Sequence, residues 1–137
     1  MRRFNIFLAE DNLGDVLLVQ EALAAHQVSH ELFVARDGGE ALHFVARMGA
    51  DGQAPCPDLL LLDLNLPKVD GSAILAEFRK RPECAETPVI VISSSDAPRD
   101  RARTQELGVA HYFRKPSDLE AYLQLGSIVK TLLESKQ

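Results

Sequence analysis

The sequence predicts an α/β fold, a doubly wound (βα)5 domain built on a parallel five-stranded sheet. Three observations predict it. Apolar runs alternate with helical patterns along the chain, as expected where helices cross between parallel strands. Two of the runs are apolar at nearly every position, which is typical of strands buried on both faces. The length of 137 residues, 46% of them apolar, suits one core. We therefore expect a single domain over residues 1–137, without an effector domain.

Each predicted strand is a short apolar run that ends at a polar residue or a turn. Four consecutive leucines end at Asp63, for example, and a turn containing Pro67 follows them. The predicted strands cover residues 4–9, 32–35, 59–62, 89–92 and 109–113.

Helical spacing and terminal signals predict five helices. The first covers about residues 14–25, with either Asp11 or Asn12 as a candidate N-cap. The second begins at Asp37 and ends at Gly49, the third lies between Gly71 and Pro82, and the fourth lies between Pro98 and Gly108. The fifth opens with a capping box of Ser117 and Glu120. The predicted core stripes are Val16, Val19 and Leu23; Leu42, Val45 and Met48; Ile74, Leu75 and Phe78; and Leu119, Tyr122, Leu123, Gly126, Val129 and Leu133.

Composition excludes some partners and locations. A formal net charge of −5 argues against nonspecific binding to nucleic acid or anionic membranes, which needs a basic face. We expect a cytoplasmic protein, because the chain has no signal-peptide core and no apolar run of membrane-spanning length. Cys56 and Cys84 lack metal-ligand spacing, so we expect two free thiols. Residues 49–57 form a long connection, either a surface loop or part of a partner contact.

Polar residues follow four of the predicted strands. Glu10 and Asp11 follow the first, Asp63 the third, Ser93 the fourth and Lys115 the fifth. Because the carboxyl ends of parallel strands lie at one edge of a sheet, and ligands bind there, we expect these side chains to meet.

This set of residues suits phosphoryl chemistry with a metal. Clustered carboxylates raise one another's pKa unless a cation neutralises them, and Mg²⁺ takes a few carboxylates while keeping waters for a phosphate. An aspartate can act as a nucleophile and form an aspartyl phosphate. Lys115 then supplies a mobile positive charge, and Ser93 donates a hydrogen bond to a phosphoryl oxygen.

The same residues carry a family resemblance. The chain resembles the receiver domains of bacterial two-component response regulators over essentially its whole length. The resemblance implies that a histidine kinase phosphorylates Asp63, that Ser93 and Lys115 assist, and that Tyr112 is an aromatic switch residue. It also implies Mg²⁺ bound by Asp11, Asp63 and the main-chain carbonyl of Asn65, with Glu10 reaching the metal through water. The matching segments are residues 8–12, 63–71, 88–93, 108–110 and 115–116.

A narrower resemblance concerns the kinase. Residues 10–16 and 20–23, with the long connection at 49–57, are similar to stand-alone receivers paired with phytochrome-type histidine kinases. Two departures from the wider family are small. Ser93 stands where threonine is commoner, and Ser94 stands where alanine is common. The polar Ser95 lies at a position that, in the family the chain resembles, influences dephosphorylation, which leaves the phosphoryl lifetime open.

Three other functions compete with this interpretation. A haloacid-dehalogenase-like phosphatase would place Asp-x-Asp near its first strand, whereas Asp63 and Asn65 lie at the third. A phosphorylation-independent interaction module would not need the complete acid set. A flavodoxin-like FMN binder shares the expected strand order, 2-1-3-4-5, but Glu10 and Asp11 would repel its phosphate.

Two surfaces are candidates for partner contacts. The first helix begins beside the predicted site and should carry kinase recognition through Leu13, Asp15, Leu17 and Leu18. The surface formed by the fourth helix, fifth strand and fifth helix should carry the output, with a twofold homodimer as the simplest form. For that dimer we count Tyr122, Leu125 and Ile128 as apolar surface. The alternative is a monomer in which these residues pack under the sheet.

Overall fold

A computed structural model describes residues 3–49 and 54–135 and has the predicted architecture. Its parallel five-stranded sheet has the order β2-β1-β3-β4-β5, flanked on both faces by five α-helices. The strands are β1 (Phe4–Ala9), β2 (His30–Ala35), β3 (Leu59–Asp63), β4 (Val89–Ser93) and β5 (His111–Arg114). The helices are α1 (Leu13–Ala25), α2 (Gly38–Val45), α3 (Gly71–Arg79), α4 (Pro98–Glu106) and α5 (Leu119–Glu134).

The two central strands explain why the core has two halves. Every residue of β3 and β4 is buried. Successive side chains of a strand point to opposite faces. Leu59 and Leu61 accordingly join the cluster under α1 and α5, whereas Leu60 and Leu62 join the cluster under α2 and α3. The near-continuous apolar runs in the sequence reflect this covering on both sides.

Capping side chains mark the starts of most of the helices, and the cap of one helix differs from the predicted residue. Asn12 caps α1, since its Oδ1 accepts a hydrogen bond from the Asp15 amide at 3.0 Å. Asp37 caps α2 in the same way. The predicted capping box of Ser117 and Glu120 is wrong, because Asp118 is the N-cap of α5 and accepts a hydrogen bond from the Ala121 amide at 3.2 Å. A carboxylate satisfies a helix N-terminus at least as well as a hydroxyl.

The second helix is shorter than predicted. It ends at Val45, although Met48 is still buried and forms an isolated bridge with Ala54. Gly49 takes a positive φ of 84°, which suits a glycine that reverses the chain. Of the long connection at 49–57, residues 50–53 lie outside the described residues.

Helix α5 packs closely on α1, and this corrects two expectations. A Cβ at Gly126 would lie 2.1 Å from the Ala22 carbonyl oxygen, so only glycine permits this approach. Tyr122 and Leu125 are buried, so they offer no surface for a dimer, and Ile128 is partly buried against the core. Leu119, predicted in the core stripe, is 53% exposed at the helix start.

The cysteines form a disulfide rather than the predicted free thiols. Cys56 and Cys84 are 28 residues apart in sequence, but their Cα atoms lie 5.4 Å apart. Cys56 precedes β3 and Cys84 precedes β4, and these strands are neighbours. Sheet pairing therefore brings the two cysteines together at the amino-terminal edge. No helix in the described part of the chain is long and apolar enough to cross a membrane.

Candidate functional site

The opposite, carboxyl edge of the sheet gathers the polar residues that the sequence singled out. Glu10 follows β1, Asp63 ends β3, Ser93 ends β4, and Lys115 follows β5. The Lys115 Nζ lies 3.0 Å from Glu10 Oε1 and 3.1 Å from Asp63 Oδ2. The Lys115 amide also donates to the Ser93 carbonyl at 2.7 Å, which extends the pairing of β5 with β4 up to the site.

Three carboxylates form the acidic cluster, Glu10, Asp11 and Asp63. Each offers an oxygen within 4.8 Å of the others. Glu10 is fully buried, Asp63 is 3% exposed, and Asp11 faces solvent. Burial, followed by the negative charge of Asp63, raises the pKa of Glu10 from 4.5 to about 7. The cluster therefore holds negative charge at a cost that a cation would remove.

The donor set fits a hard divalent cation. Glu10 Oε2 accepts a hydrogen bond from the Asn12 amide at 3.1 Å. Glu10 Oε1 is buried and, although near Lys115, has no aligned hydrogen-bond donor among the described residues. An all-oxygen site with one exposed carboxylate, Asp11, is open to an entering Mg²⁺. Asn65 is exposed beside it, and its amide donates to Asp63 Oδ1 at 2.9 Å, which fixes the turn after β3.

Lys115 has a partner that the sequence analysis missed. Its Nζ also lies 2.9 Å from Asp15 Oδ2 on α1. Burial lowers the pKa of Lys115, but the bonds to Asp15 and Glu10 and the charge of Asp63 outweigh it, so the pKa is raised and the ammonium stays charged. The sequence assigned Asp15 to the kinase surface. No local sequence signal pairs Asp15 with Lys115, because the two residues are 100 positions apart in the chain.

A chain of hydrogen bonds joins Ser93 to Tyr112. The buried Ser93 hydroxyl accepts from the Ser95 amide at 3.0 Å and from the Asn65 side-chain amide at 3.4 Å. The Tyr112 hydroxyl donates to the Ser95 carbonyl at 2.9 Å. Ser95 therefore connects the two residues, and its own hydroxyl donates to Asp100 Oδ2 at 2.7 Å.

Arg101 covers the Tyr112 ring, and Asp96 holds this arginine. The Arg101 guanidinium lies 4.4 Å from the ring centroid, a cation–π distance. Asp96 fixes this arginine, because Arg101 Nε donates to Asp96 Oδ1 at 2.6 Å. That hydrogen bond is also the main reason why the pKa of Asp96 is lowered. This contact is not predictable from the sequence, because it depends on how α4 lies over β5.

A cavity of about 500 Å³ opens beside Lys115. Lys115 is one of its lining residues, so the cavity adjoins the lysine of the site. Its lining residues are Ser94, Arg114, Lys115, Pro116, Ser117 and Asp118.

Fold and site together define a class: a doubly wound α/β domain with a carboxylate site for a divalent cation at the carboxyl edge of its sheet. Comparison with known families makes the class specific. The response regulator receiver domain family matches residues 6–125, and the chain belongs to this family. It is a receiver domain of two-component signalling, whose members accept phosphoryl groups from histidine kinases.

Two relatives, Rcp1 and RcpA, make the comparison more specific. Response regulator Rcp1 from Synechocystis sp. is 41% identical over 115 residues, which is 84% of this chain and 78% of Rcp1. The crystal structure of the phosphorylated cyanobacterial phytochrome response regulator RcpA has a TM-score of 0.85 and 39% identity, covering 99% of this chain and 97% of RcpA. The Mn²⁺-bound form of Rcp1 has a TM-score of 0.84 and 38% identity, with 96% of each chain covered. The chain is thus similar to phytochrome-associated response regulators.

Proposed function

We propose that the protein accepts a phosphoryl group on Asp63 from a histidine kinase, with Mg²⁺ as cofactor. The contacts of Asp63 carry this proposal. Its carboxylate ends a central strand, is almost fully buried, and is held at Oδ1 by the Asn65 amide and at Oδ2 by Lys115. The carboxylate is thereby fixed in one orientation, with positive charge beside it, as phosphoryl transfer requires.

The transfer converts the Asp63 carboxylate into an acyl phosphate, which is a mixed anhydride. A carboxylate oxygen of Asp63 attacks the phosphorus of a phosphohistidine, a P–O bond forms, and the P–N bond breaks. The electron pair of that bond returns to the imidazole nitrogen, which then takes up a proton. In this proposal the Lys115 ammonium and the Ser93 hydroxyl contact the oxygens of the transferred group. Bound Mg²⁺ supplies the additional charge neutralisation.

Labelling by a kinase tests the phosphoacceptor. The protein is incubated with candidate kinases and radiolabelled ATP, and the bond is tested for the alkaline and hydroxylamine lability of an acyl phosphate. Asp63→Asn should abolish the label. Asp70→Asn is the matched control, because Asp70 is an exposed N-cap of α3 and asparagine caps equally well. Label retained at the wild-type level in Asp63→Asn would sink the assignment.

We further propose that Asp11, Asp63 and the main-chain carbonyl of Asn65 bind the metal, with Glu10 acting through water. The proximity of the three carboxylates supports this. Asp11→Ala should lose Mg²⁺ binding and phosphotransfer together, because too few carboxylates then remain to displace metal-bound water. A calorimetric titration with unchanged Mg²⁺ affinity would contradict the ligand set.

The output surface is proposed to be α4, β5 and α5, switched through Ser93 and Tyr112. When the phosphoryl group takes the Ser93 hydroxyl, the hydrogen bond from Ser95 must rearrange, and Ser95 also holds Tyr112. A ring with two packings is a bistable element that charge at Asp63 can bias. Autodephosphorylation by water at the same site, influenced by Ser95, ends the signal in this proposal.

The proposed donor is a phytochrome-type histidine kinase that docks on α1. Two observations support it: similarity to phytochrome-associated regulators, and the exposure of Leu13 (56%) and Leu17 (54%) beside the site. Leu18 is half-buried, so it is a weaker candidate. Leu17→Glu should slow transfer from the cognate kinase. Phe44→Glu on α2, an exposed apolar residue of another helix, is the control. Equal rates in all three proteins would remove α1 from the kinase contact.

The last two proposals concern the location and the assembly of the protein. We propose a cytoplasmic protein, because its donor kinase uses ATP, and in that compartment the Cys56–Cys84 disulfide would be subject to reduction. Tyr122 and Leu125 are buried, so they contribute no surface to a homodimer through α4, β5 and α5. The proposed dimer would instead use the edge strand β5 and the partly buried Ile128. Scattering with and without beryllofluoride tests it: a monomer in both states would end the dimer proposal.

A further inference from the structure

The Lys115 ammonium has three acidic partners, but only two of them belong to the proposed metal site. An ammonium has three N–H donors. In this structure Glu10, Asp15 and Asp63 all lie within 3.1 Å of Nζ. Glu10 and Asp63 are members of the acidic cluster, whereas Asp15 is not. When a cation and a phosphoryl group engage the first two, Asp15 is the partner that remains available to Lys115.

Asp15 is held in place from both sides. Its amide donates to the Asn12 cap, which fixes its backbone in the first turn of α1. Its carboxylate is 18% exposed and is directed at Lys115 instead of solvent. A carboxylate fixed on a helix can orient an ammonium far better than a mobile surface acid can, because little side-chain entropy remains to be lost.

Tyr122 on α5 supplies an independent observation. It is 2% exposed, its ring packs edge-on against Phe113 at 5.7 Å, and its hydroxyl has no hydrogen-bond partner among the described residues. A buried hydroxyl without a partner is costly and therefore uncommon. Burial, and next the charge of Asp15, raises the pKa of Tyr122, so the hydroxyl stays protonated beside that carboxylate. The protonated hydroxyl is therefore a donor that the Asp15 carboxylate can accept from.

We propose that Asp15 is a positioning residue that anchors the Lys115 ammonium while Glu10 and Asp63 exchange their contacts with it for the cation and the phosphoryl group, and that the Tyr122 hydroxyl supports Asp15. This inference rests on the proposed phosphorylation of Asp63. In the resting site all three N–H groups of Lys115 face carboxylates. In the reacting site one N–H stays on Asp15, and the others are free for phosphoryl oxygens. Asp15 acts on the reaction only through Lys115.

Kinetics with a small phosphodonor separate this role from general electrostatics. Wild type, Asp15→Asn and Glu21→Gln are compared with acetyl phosphate at saturating Mg²⁺, and Mg²⁺ affinity is measured in parallel. Glu21 lies exposed on α1, so its substitution makes the same charge change on the same helix away from the site. Asp15→Asn should slow phosphorylation about tenfold while the Mg²⁺ dissociation constant stays within about threefold. Glu21→Gln should match wild type.

The decisive test is whether the effect of Asp15→Asn on the phosphorylation rate requires Lys115. In a Lys115→Ala background, Asp15→Asn should have no further effect, because the group it positions is gone. Tyr122→Phe keeps the ring packing and should slow phosphorylation about two- to threefold in the same direction. A full tenfold effect in the Lys115→Ala background, a rate within twofold of wild type in Asp15→Asn, or a parallel loss of Mg²⁺ affinity would each overturn the inference. Absence of phosphorylation in wild type would instead refute the proposed function.

Discussion

Replacing Glu10 by glutamine should stabilise the metal-free domain above neutral pH and change its stability little in acid. Glu10 is fully buried, and burial together with the charge of Asp63 raises its pKa from 4.5 to about 7. Glutamine keeps the shape of the side chain and can still accept the hydrogen bond from the Asn12 amide. It removes the buried negative charge.

The magnitude follows from the linkage between protonation and folding. The folded state binds the Glu10 proton more tightly than the unfolded state, so stability falls as pH rises from 4.5 towards about 7. Above about pH 8 the full penalty is present, roughly 3 kcal/mol for a shift of this size. At about pH 5 most of it is absent, and less than about 1 kcal/mol remains. The advantage of Glu10→Gln should therefore grow by roughly 2 kcal/mol between these conditions.

Urea unfolding of wild type and Glu10→Gln in the presence of a chelator measures this difference at both pH values. Glu21→Gln, an exposed charge removal, should show no pH-dependent difference from wild type. Adding Mg²⁺ at about 100 times its dissociation constant should raise the free energy of unfolding of wild type by about 2.7 kcal/mol. The increase for Glu10→Gln should be smaller. An advantage of the same size at about pH 5 and about pH 8 would refute the reasoning, because the penalty would not then arise from Glu10 titration.

Three further predictions concern other parts of the fold. Reducing the Cys56–Cys84 disulfide should lower the free energy of unfolding by about 3 kcal/mol, measured by urea denaturation, since it opens a loop spanning 28 residues; an unchanged midpoint would argue against the link. Arg101→Ala should raise the pKa of Asp96 towards its ordinary value and change the ring resonances of Tyr112, both followed by NMR; an unmoved Asp96 pKa would contradict the contact. Gly126→Ala should destabilise the domain by about 1–3 kcal/mol despite its better helix propensity, and equal stability would show that α1 and α5 can separate freely.

The strand ends were predictable because two signals coincide there. An apolar run followed by an acid or a hydroxyl marks both the end of a strand and the edge at which ligands bind. The sequence therefore predicts one shared site at the carboxyl edge of the sheet. The structure has the four residues at that edge: Glu10, Asp63, Ser93 and Lys115.

Other features depend on contacts between elements that are far apart in the chain, and local sequence patterns do not predict such contacts. The Cys56–Cys84 pairing follows from the neighbouring positions of β3 and β4. The burial of Tyr122 and Leu125 follows from α5 packing against both α1 and the sheet, which widens its apolar face beyond one stripe. The sequence predicts Asp15 on the kinase-contact surface because the first helix begins beside the site, whereas the structure pairs it with Lys115, 100 residues away.

Locating the phosphoryl group directly tests the central claim that the strand ends form a Mg²⁺-dependent phosphoacceptor site at Asp63. The protein is treated with acetyl phosphate and Mg²⁺, the acyl phosphate is reduced with borohydride, and the peptides are mapped by mass spectrometry. Reduction of an aspartyl phosphate yields homoserine, so we predict homoserine at position 63 and at no other position, with none formed in the presence of a chelator. Homoserine at Asp11 or at another acid, or an equal yield without Mg²⁺, would contradict the account.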